Sequence, residues 1–467
     1  MALVRRNVLF CYSRLPSFTN AVRDYVQSFG NYSEHRIHYF DMDSGPLDID
    51  LAPYDCVIFN YCFWARCLAV APDVRRRIRD FSGLKIAILQ DEYDYFLWHE
   101  HTLVELGIQT IVTCVPQKHW RDVFRGQAFA QIHFINALTG YVPQSLLELP
   151  APRPLSQRKW AIGYRSRAVP FAYGRLTQEK RLIGERMKQI CFERGVAVNI
   201  DNTEESRIYG DAWTEFISNC RTVLGTESGS NVFDFHGTIK PEIDAFLEKN
   251  PDADFDTVHR KFLQGHDDEI RMNQVSPRIF EAIALRAGLI LFEGEYSGVV
   301  QPWVHYIPLK KDFGNIDEVL AAVDDLPRLE AMIERAYRDV IESGKFHFRT
   351  LVRLLDDHIT SRALVCTGYE PVLGVIGWRI SMRQPLQILA APPTRLPTAS
   401  PLHHDDQVLD PVVRLRFDPG ALRRAVLRRY ESVLYSGVGR RLHSALQTHA
   451  VLYRISRKLV RLLTLRR

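Results

Sequence analysis

NQVSPRIFEAIALRAGLILFEGEYSGVVQPWVHYIPLKKDFGNIDEV, residues 273 to 319, reads as helix, strand, loop and strand, with a further helix beginning at its end. Ser276 stands where a helix cap would, and Pro277 takes the first helical position. Ile279, Phe280, Ile283, Ala284 and Ala287 hold helical spacing until Gly288, which is expected to end the helix. LILFE (289 to 293) and HYIPL (305 to 309) are apolar on both faces, as strands are when helices cover both sides of a parallel sheet.

The same alternation runs outward through the chain. Apolar runs at 7–12, 36–42, 55–61, 85–91, 110–115 and 131–136 predict six strands with helical or polar segments between most of them. The Pro-rich stretch 142–157 interrupts this pattern, which resumes at 159–165, 196–200 and 221–226. The spacing therefore predicts a domain over 1–150 and a second over 151–365, both α/β, with a charged, helix-leaning insertion at 231–269 that belongs to neither sheet. Residues 366–420, rich in proline, read as a linker, and 421–467 as a tail. At 467 residues with 46% hydrophobic and 25% charged side chains, disordered, collagen-like and coiled-coil classes are excluded.

The pattern S-P-R-I-F-E-A-x-A-x-x-x-G-L-I-L, with the Gly-flanked loop and H-Y-I-P-L strand that follow, resembles the donor-binding half of GT-B glycosyltransferases. It is closest to the bacterial branch with a glycosyltransferase group 1-like C-terminal region. The resemblance covers about residues 159 to 359 and, more loosely, the N-terminal sheet. It implies two Rossmann-like doubly wound parallel-sheet domains facing a cleft, a nucleotide-sugar donor, and transfer of a sugar to a glycan or lipid-linked acceptor. It assigns the donor ribose to Glu281, and donor sugar and phosphates to the region of Glu295, Ser297 and Gly298. Where the commonest pattern has a further Glu eight positions upstream of Glu281, this chain has Asn273.

Read from the residues themselves, Glu281 is the polar exception on its helix. It lies near enough to the carboxyl edge of the sheet to accept hydrogen bonds from sugar or ribose hydroxyls, although a helix-dipole role accounts for the same acid. GEYSG (294 to 298) can cradle a diphosphate or form a plain turn, and His305, Lys310 and Lys311 lie just beyond. A leaving diphosphate needs its charge balanced, and Arg165, Arg167, Arg175 and Lys180 offer cations without a metal. GRLTQEK, which contains Arg175 and Lys180, is similar to the segment that supplies the Arg/Lys pair in GT-B enzymes. The small polar loop with Glu227 and Ser228 suits a base or sugar and equally an ordinary strand exit. On the acceptor side, QDEYDYFLWHEH (90 to 101) follows a buried strand. Asp91 and Glu92, nearest the strand end, are the expected bases, with solvated acids as the alternative.

No metal is inferred, since triplets such as DMD (41 to 43), DID (48 to 50) and DFD (254 to 256) arise readily in a chain with 55 acids. No cofactor is expected beyond the nucleotide sugar as substrate. The eight cysteines fall in no C-x-x-C pair and read as buried thiols of a cytoplasmic protein. Residues 421–467 carry eleven Arg and one Lys against Glu431, so a net +5 conceals a body near −6 and a tail of +11. Leu452, Ile455, Leu459, Leu462 and Leu463 beside Arg454, Arg457, Lys458 and Arg461 form a basic amphipathic helix. An anionic membrane surface at the cytoplasmic face is its expected partner, ahead of a protein contact, and nucleic acid is not expected. The rivals to transfer are a non-catalytic nucleotide-sugar-binding or scaffold protein and a GT-B-shaped epimerase.

Overall fold

The computed structural model describes residues 5–362 apart from 14–19, 43–46, 48, 65–71, 95, 150–151 and 209. The linker 366–420 and the basic tail 421–467 lie outside the described residues, as do Asp43 and Asp48 of two acidic triplets.

Each of the predicted apolar runs forms a strand. The first sheet holds β1 (Asn7–Tyr12), β2 (Arg36–Asp41), β3 (Cys56–Phe59), β4 (Leu84–Ile88), β5 (Thr110–Thr113) and β6 (His133–Asn136) in the order β2-β1-β3-β4-β5-β6. The second holds β7 (Trp160–Arg165), β8 (Val198–Asp201), β9 (Cys220–Gly225), β10 (Gly288–Phe292) and β11 (Ile307–Leu309) in the order β11-β10-β9-β7-β8. Every pairing is parallel. The strands are apolar on both faces because each sheet feeds two cores. Leu9, Cys11, Val57 and Phe59 enter one core, while Val8, Phe10, Cys56 and Ile58 enter the other. In the second sheet Leu289 and Leu291 face one core, and Ile290 and Phe292 the other.

Gly288 does not end the helix before β10. The helix Pro277–Ala284 stops four residues earlier, Arg286 makes the turn at φ 51°, and Gly288 opens the strand beside Leu329, leaving no room for a Cβ. Ser276 occupies the cap position without a side-chain bond to the helix.

Elements of the two halves pack together. Helix Phe348–Arg362 returns to the first sheet, where Phe348, Leu351, Val352, Leu355 and Ile359 join the core of Tyr25 and Phe29. The Ser33 hydroxyl and the Glu34 backbone N–H both donate to the Asp356 carboxylate at 2.7 Å. Val142, in the connection out of the first half, exchanges backbone hydrogen bonds with Phe346 and Phe348 at the return. The insertion forms helix Ile239–Lys249 and a small core of its own around Ile243, Val258 and Leu263. Phe233 on its N-terminal side, and Ile270 and Met272 just beyond it, are buried in the first-sheet core. The six described cysteines are buried. No helix among the described residues is long and apolar enough to cross a membrane.

Candidate functional site

The carboxyl ends of strands from both sheets meet at a cavity of about 490 Å³. Gln90 and Asp91 reach it from the exit of β4, Tyr164 to Arg167 from β7, and Leu224 to Thr226 with Ser228 from β9. The chain runs from β7 to β8 on one side and to β9 on the other, so the cavity opens at the point where strand order reverses. Neighbouring βα loops part there, and doubly wound sheets take their ligands in that crevice.

One wall is cationic. Lys180 lies on the helix Gly174–Glu193, one turn beyond Thr177, whose hydroxyl donates to the Gly174 carbonyl at 2.9 Å. Spacing of three puts both residues on the face that lines the cavity. No carboxylate among the described residues lies within ion-pair distance of Lys180. Burial, then repulsion from Arg278, lowers its pKa to about 8, with Asp91 pulling the other way. Arg167 stands exposed at the same wall. Arg278 donates to the Arg165 carbonyl, and its guanidinium lies 5.1 Å from the Trp213 ring.

Opposite, Asp91 closes a turn in which the Asp94 N–H donates to the Asp91 carbonyl at 3.1 Å. Its φ of 62° lies in the left-handed region, which few residues other than Gly, Asn and Asp enter cheaply. The Tyr93 hydroxyl donates to Asp91 Oδ1 at 2.8 Å. Crowding by protein raises the Asp91 pKa, against the hydroxyl of Tyr93 and the charges of Lys180 and Arg167. Asp94 beside it accepts from the Tyr173 hydroxyl at 3.2 Å.

Of the residues expected from sequence, this cavity brings together Asp91, Arg165, Arg167, Lys180 and Ser228. Arg165 is committed to structure: its guanidinium donates to the Ser206, Tyr164 and Asn199 carbonyls and to Asn199 Oδ1. Glu92 points the wrong way for a base. It is buried under β5, accepts from the Thr113 hydroxyl, and has its pKa raised by burial to about 7. Consecutive residues leaving a strand face opposite sides, so one of the pair had to turn inward. Glu281 does not line the cavity. Its Oε2 accepts from the Trp213 indole N–H at 2.7 Å, which fixes a ring that does line it. Burial raises the Glu281 pKa, with Trp213 and then Arg278 lowering it.

Arg175 lies away from the cavity, against Phe255 and 3.8 Å from Asp256 on the insertion. His305 is buried, with Nδ1 accepting from the Gln301 N–H at 3.1 Å and Nε2 lying 3.2 Å from Asp339. Gly298, at φ 73°, meets open space.

Glu227, Glu295 and Ser297 line a second cavity, of about 370 Å³, at the ends of β5, β6 and β10. Between the two spaces runs the segment 271–277. Asn273 and Gln274 face the smaller cavity, and Met272, Ser276 and Pro277 the larger. Glu227 is a staple. Its Oε1 accepts from the Glu295 and Tyr296 N–H groups at 3.1 and 2.9 Å, and Oε2 from the Asn273 amide at 2.6 Å. Glu227→Ala removes a buried carboxylate with three donors and should cost about 2–4 kcal/mol of stability, measured by urea denaturation, with the 294–298 loop the first region to lose amide protection.

Sequence reading passed over Arg278 and Trp213. Arg278 did leave a trace: a cation in the first turn of Pro277–Ala284 opposes the helix dipole, and such a residue needs another reason to be there. Trp213 left none, since an aromatic on an amphipathic helix reads as core. Among the described residues, no three His, Cys, Asp or Glu side chains converge as metal ligands would.

No protein-family model matches the chain, and no curated protein matches it in sequence. Solved structures to which it is similar include Anabaena HepE in complex with UDP and glucose, at 11% identity and TM-score 0.43, over 76% of this chain and 100% of that one. An alpha-glucosyltransferase in complex with UDP-glucose and DNA containing an abasic site aligns at 8% identity and TM-score 0.44, over 77% and 100%. Sucrose-phosphate synthase from Thermosynechococcus elongatus aligns at 11% identity and TM-score 0.39, over 76% and 99%.

Proposed function

We propose that the chain is a glycosyltransferase that moves a sugar from a nucleotide-sugar donor to an acceptor hydroxyl. The observation that carries this reading is the set of cations Lys180, Arg167 and Arg278 at the switch point of the second sheet, facing Asp91 of the first. In the reaction, the acceptor oxygen bonds to the anomeric carbon as the bond from that carbon to the terminal phosphate oxygen breaks. The electron pair leaves with the diphosphate, whose added charge the three cations offset, and the acceptor proton passes to Asp91. Half-buried Lys180, with the exposed Arg167 and Arg278 beside it, offers the diphosphate the positive charge a divalent ion would, which supports a metal-independent reaction.

A hexosyl donor and a glycan or lipid-linked acceptor, in synthesis of a surface polysaccharide or glycoconjugate, complete the reading. The charge of 421–467 supports attachment to an anionic membrane surface from the cytoplasmic side. One observation favours the rival reading of binding without turnover. Asn273, at the place of the missing Glu, spends its amide on Glu227.

A panel of nucleotide sugars, with and without an oligosaccharide acceptor, separates these readings by thermal shift and by release of nucleoside diphosphate. One donor should raise Tm and release its diphosphate faster when acceptor is present. A shift without release selects the binding protein, and no shift with any donor sinks both.

A further inference from the structure

A third space, of about 450 Å³, lies beyond the seam at which Asp94 pairs with Asp234 across the two halves. Tyr93 and Asp94 face the catalytic cleft, whereas Phe233 and Asp234 face this side cavity, so a single hydrogen-bonded backbone seam separates them. The Asp234 N–H donates to the Tyr93 carbonyl across that seam at 2.8 Å.

The two spaces differ in charge. Five cations, Arg165, Arg167, Lys180, Arg207 and Arg278, line the cleft against two carboxylates, Asp91 and Asp94. In the side cavity Arg125 and Lys261 meet Asp234, Glu242 and Glu269. A diphosphate suits the first balance and is repelled by the second.

The remaining lining matches a neutral, amphipathic ligand. Phe235 and Phe262 are half-buried; the Arg125 guanidinium lies 4.4 Å over the Phe235 ring, so Phe262 is the ring left for stacking. Around them His236, His266, Glu242 and Glu269 are exposed and make no side-chain hydrogen bond or ion pair among the described residues. Asp234, by contrast, is spent on the N–H groups of Thr238 and Lys240. Apolar ring faces beside acceptors and donors with free lone pairs and protons fit a pyranose. Its C–H face lies on an aromatic ring while its vicinal hydroxyls reach carboxylate and imidazole.

We propose that this cavity is a subsite for neutral carbohydrate, holding the units of an oligosaccharide acceptor that lie behind the one presented to Asp91. The assignment of the occupant as acceptor rests on the glycosyltransferase reading, while the carbohydrate site stands on its own lining. Its position just across the seam from Asp94 sets the two spaces side by side, so a sugar chain reaching both would pass over the seam.

The test uses the full-length protein on an array of neutral oligosaccharides and their monosaccharides. A Glu242→Ala, His266→Ala double variant, altered only at exposed side chains, is run beside it. Nucleoside diphosphate affinity by calorimetry and Tm are measured on both proteins. The wild type should retain at least one oligosaccharide more strongly than the matching monosaccharide, and the variant should lose roughly tenfold in that affinity with nucleotide binding and Tm unchanged. Retention by neither protein, or equal retention by both, overturns the subsite. Retention that depends on Glu242 and His266 in a protein that binds no nucleoside diphosphate supports the carbohydrate site and overturns the donor reading instead.

Discussion

Lys180→Met should weaken nucleoside diphosphate binding by roughly 100-fold at pH 7, the loss of a charge-assisted contact with an anion on a low-dielectric wall, and should raise Tm at the same time. The two effects share one cause. No carboxylate among the described residues lies within ion-pair distance of Lys180, and burial, only partly offset by Asp91, has lowered its pKa to about 8. Between about pH 8 and the ordinary lysine value, the unfolded chain holds a proton that the folded chain lacks. Folding stability therefore rises with pH across that window, and the penalty of the buried charge is fully present below it. Methionine removes the penalty at neutral pH, worth about 1 °C in Tm for each kcal/mol in a chain of this size. An anion in the cleft needs the protonated lysine, so wild-type affinity should fall by up to about tenfold per pH unit above pH 8. Lys180→Arg, which stays charged, should flatten that dependence. Calorimetry across pH 6 to 10 reads both effects, and a Met variant that binds as tightly as wild type removes Lys180 from the site.

Asp91→Asn should lower kcat by about 10²–10⁴-fold while leaving nucleotide affinity equal or slightly better. Asparagine enters the left-handed region almost as readily as aspartate, so the turn at φ 62° survives and a loss of rate is not a loss of fold. Removing a negative charge that faces Lys180 and Arg167 relieves nothing the donor needs. Because its surroundings raise the Asp91 pKa, the acid limb of the wild-type rate should sit above the usual aspartate range, and the variant should lack it. A variant that keeps more than half the rate in the presence of acceptor places the base elsewhere.

The fold was legible because a parallel sheet covered on both faces writes itself as short unbroken apolar runs, and NVLFCY or GLILF has no other comfortable home. The site was legible only in part. Sequence marks which residues leave a strand, but not which of two neighbours turns into the cleft, so Asp91 and Glu92 looked alike until one met Tyr93 and the other Thr113. It also cannot tell a charge that waits for a ligand from one that holds a loop. Glu227 and His305 each looked available beside a strand end, yet both are used up by partners 68 and 34 residues away in sequence. Arg175 and Lys180 sit on one helix five residues apart, a little over one turn, and only the packing of the insertion decides that the first faces Phe255 and the second the cleft.

The return of Phe348–Arg362 to the first sheet, together with the burial of Phe233, Ile270 and Met272 in its core, has a consequence for how the molecule is made. The N-terminal half cannot complete its own interior while the ribosome is still translating the C-terminal half. It must wait, partly open, for residue 362 to emerge, so a nascent chain halted at the boundary near residue 150 would expose unfinished apolar surface to chaperones. In the finished protein the same threading means that neither half can be excised as a stable fragment, and heat should melt both sheets in one cooperative transition.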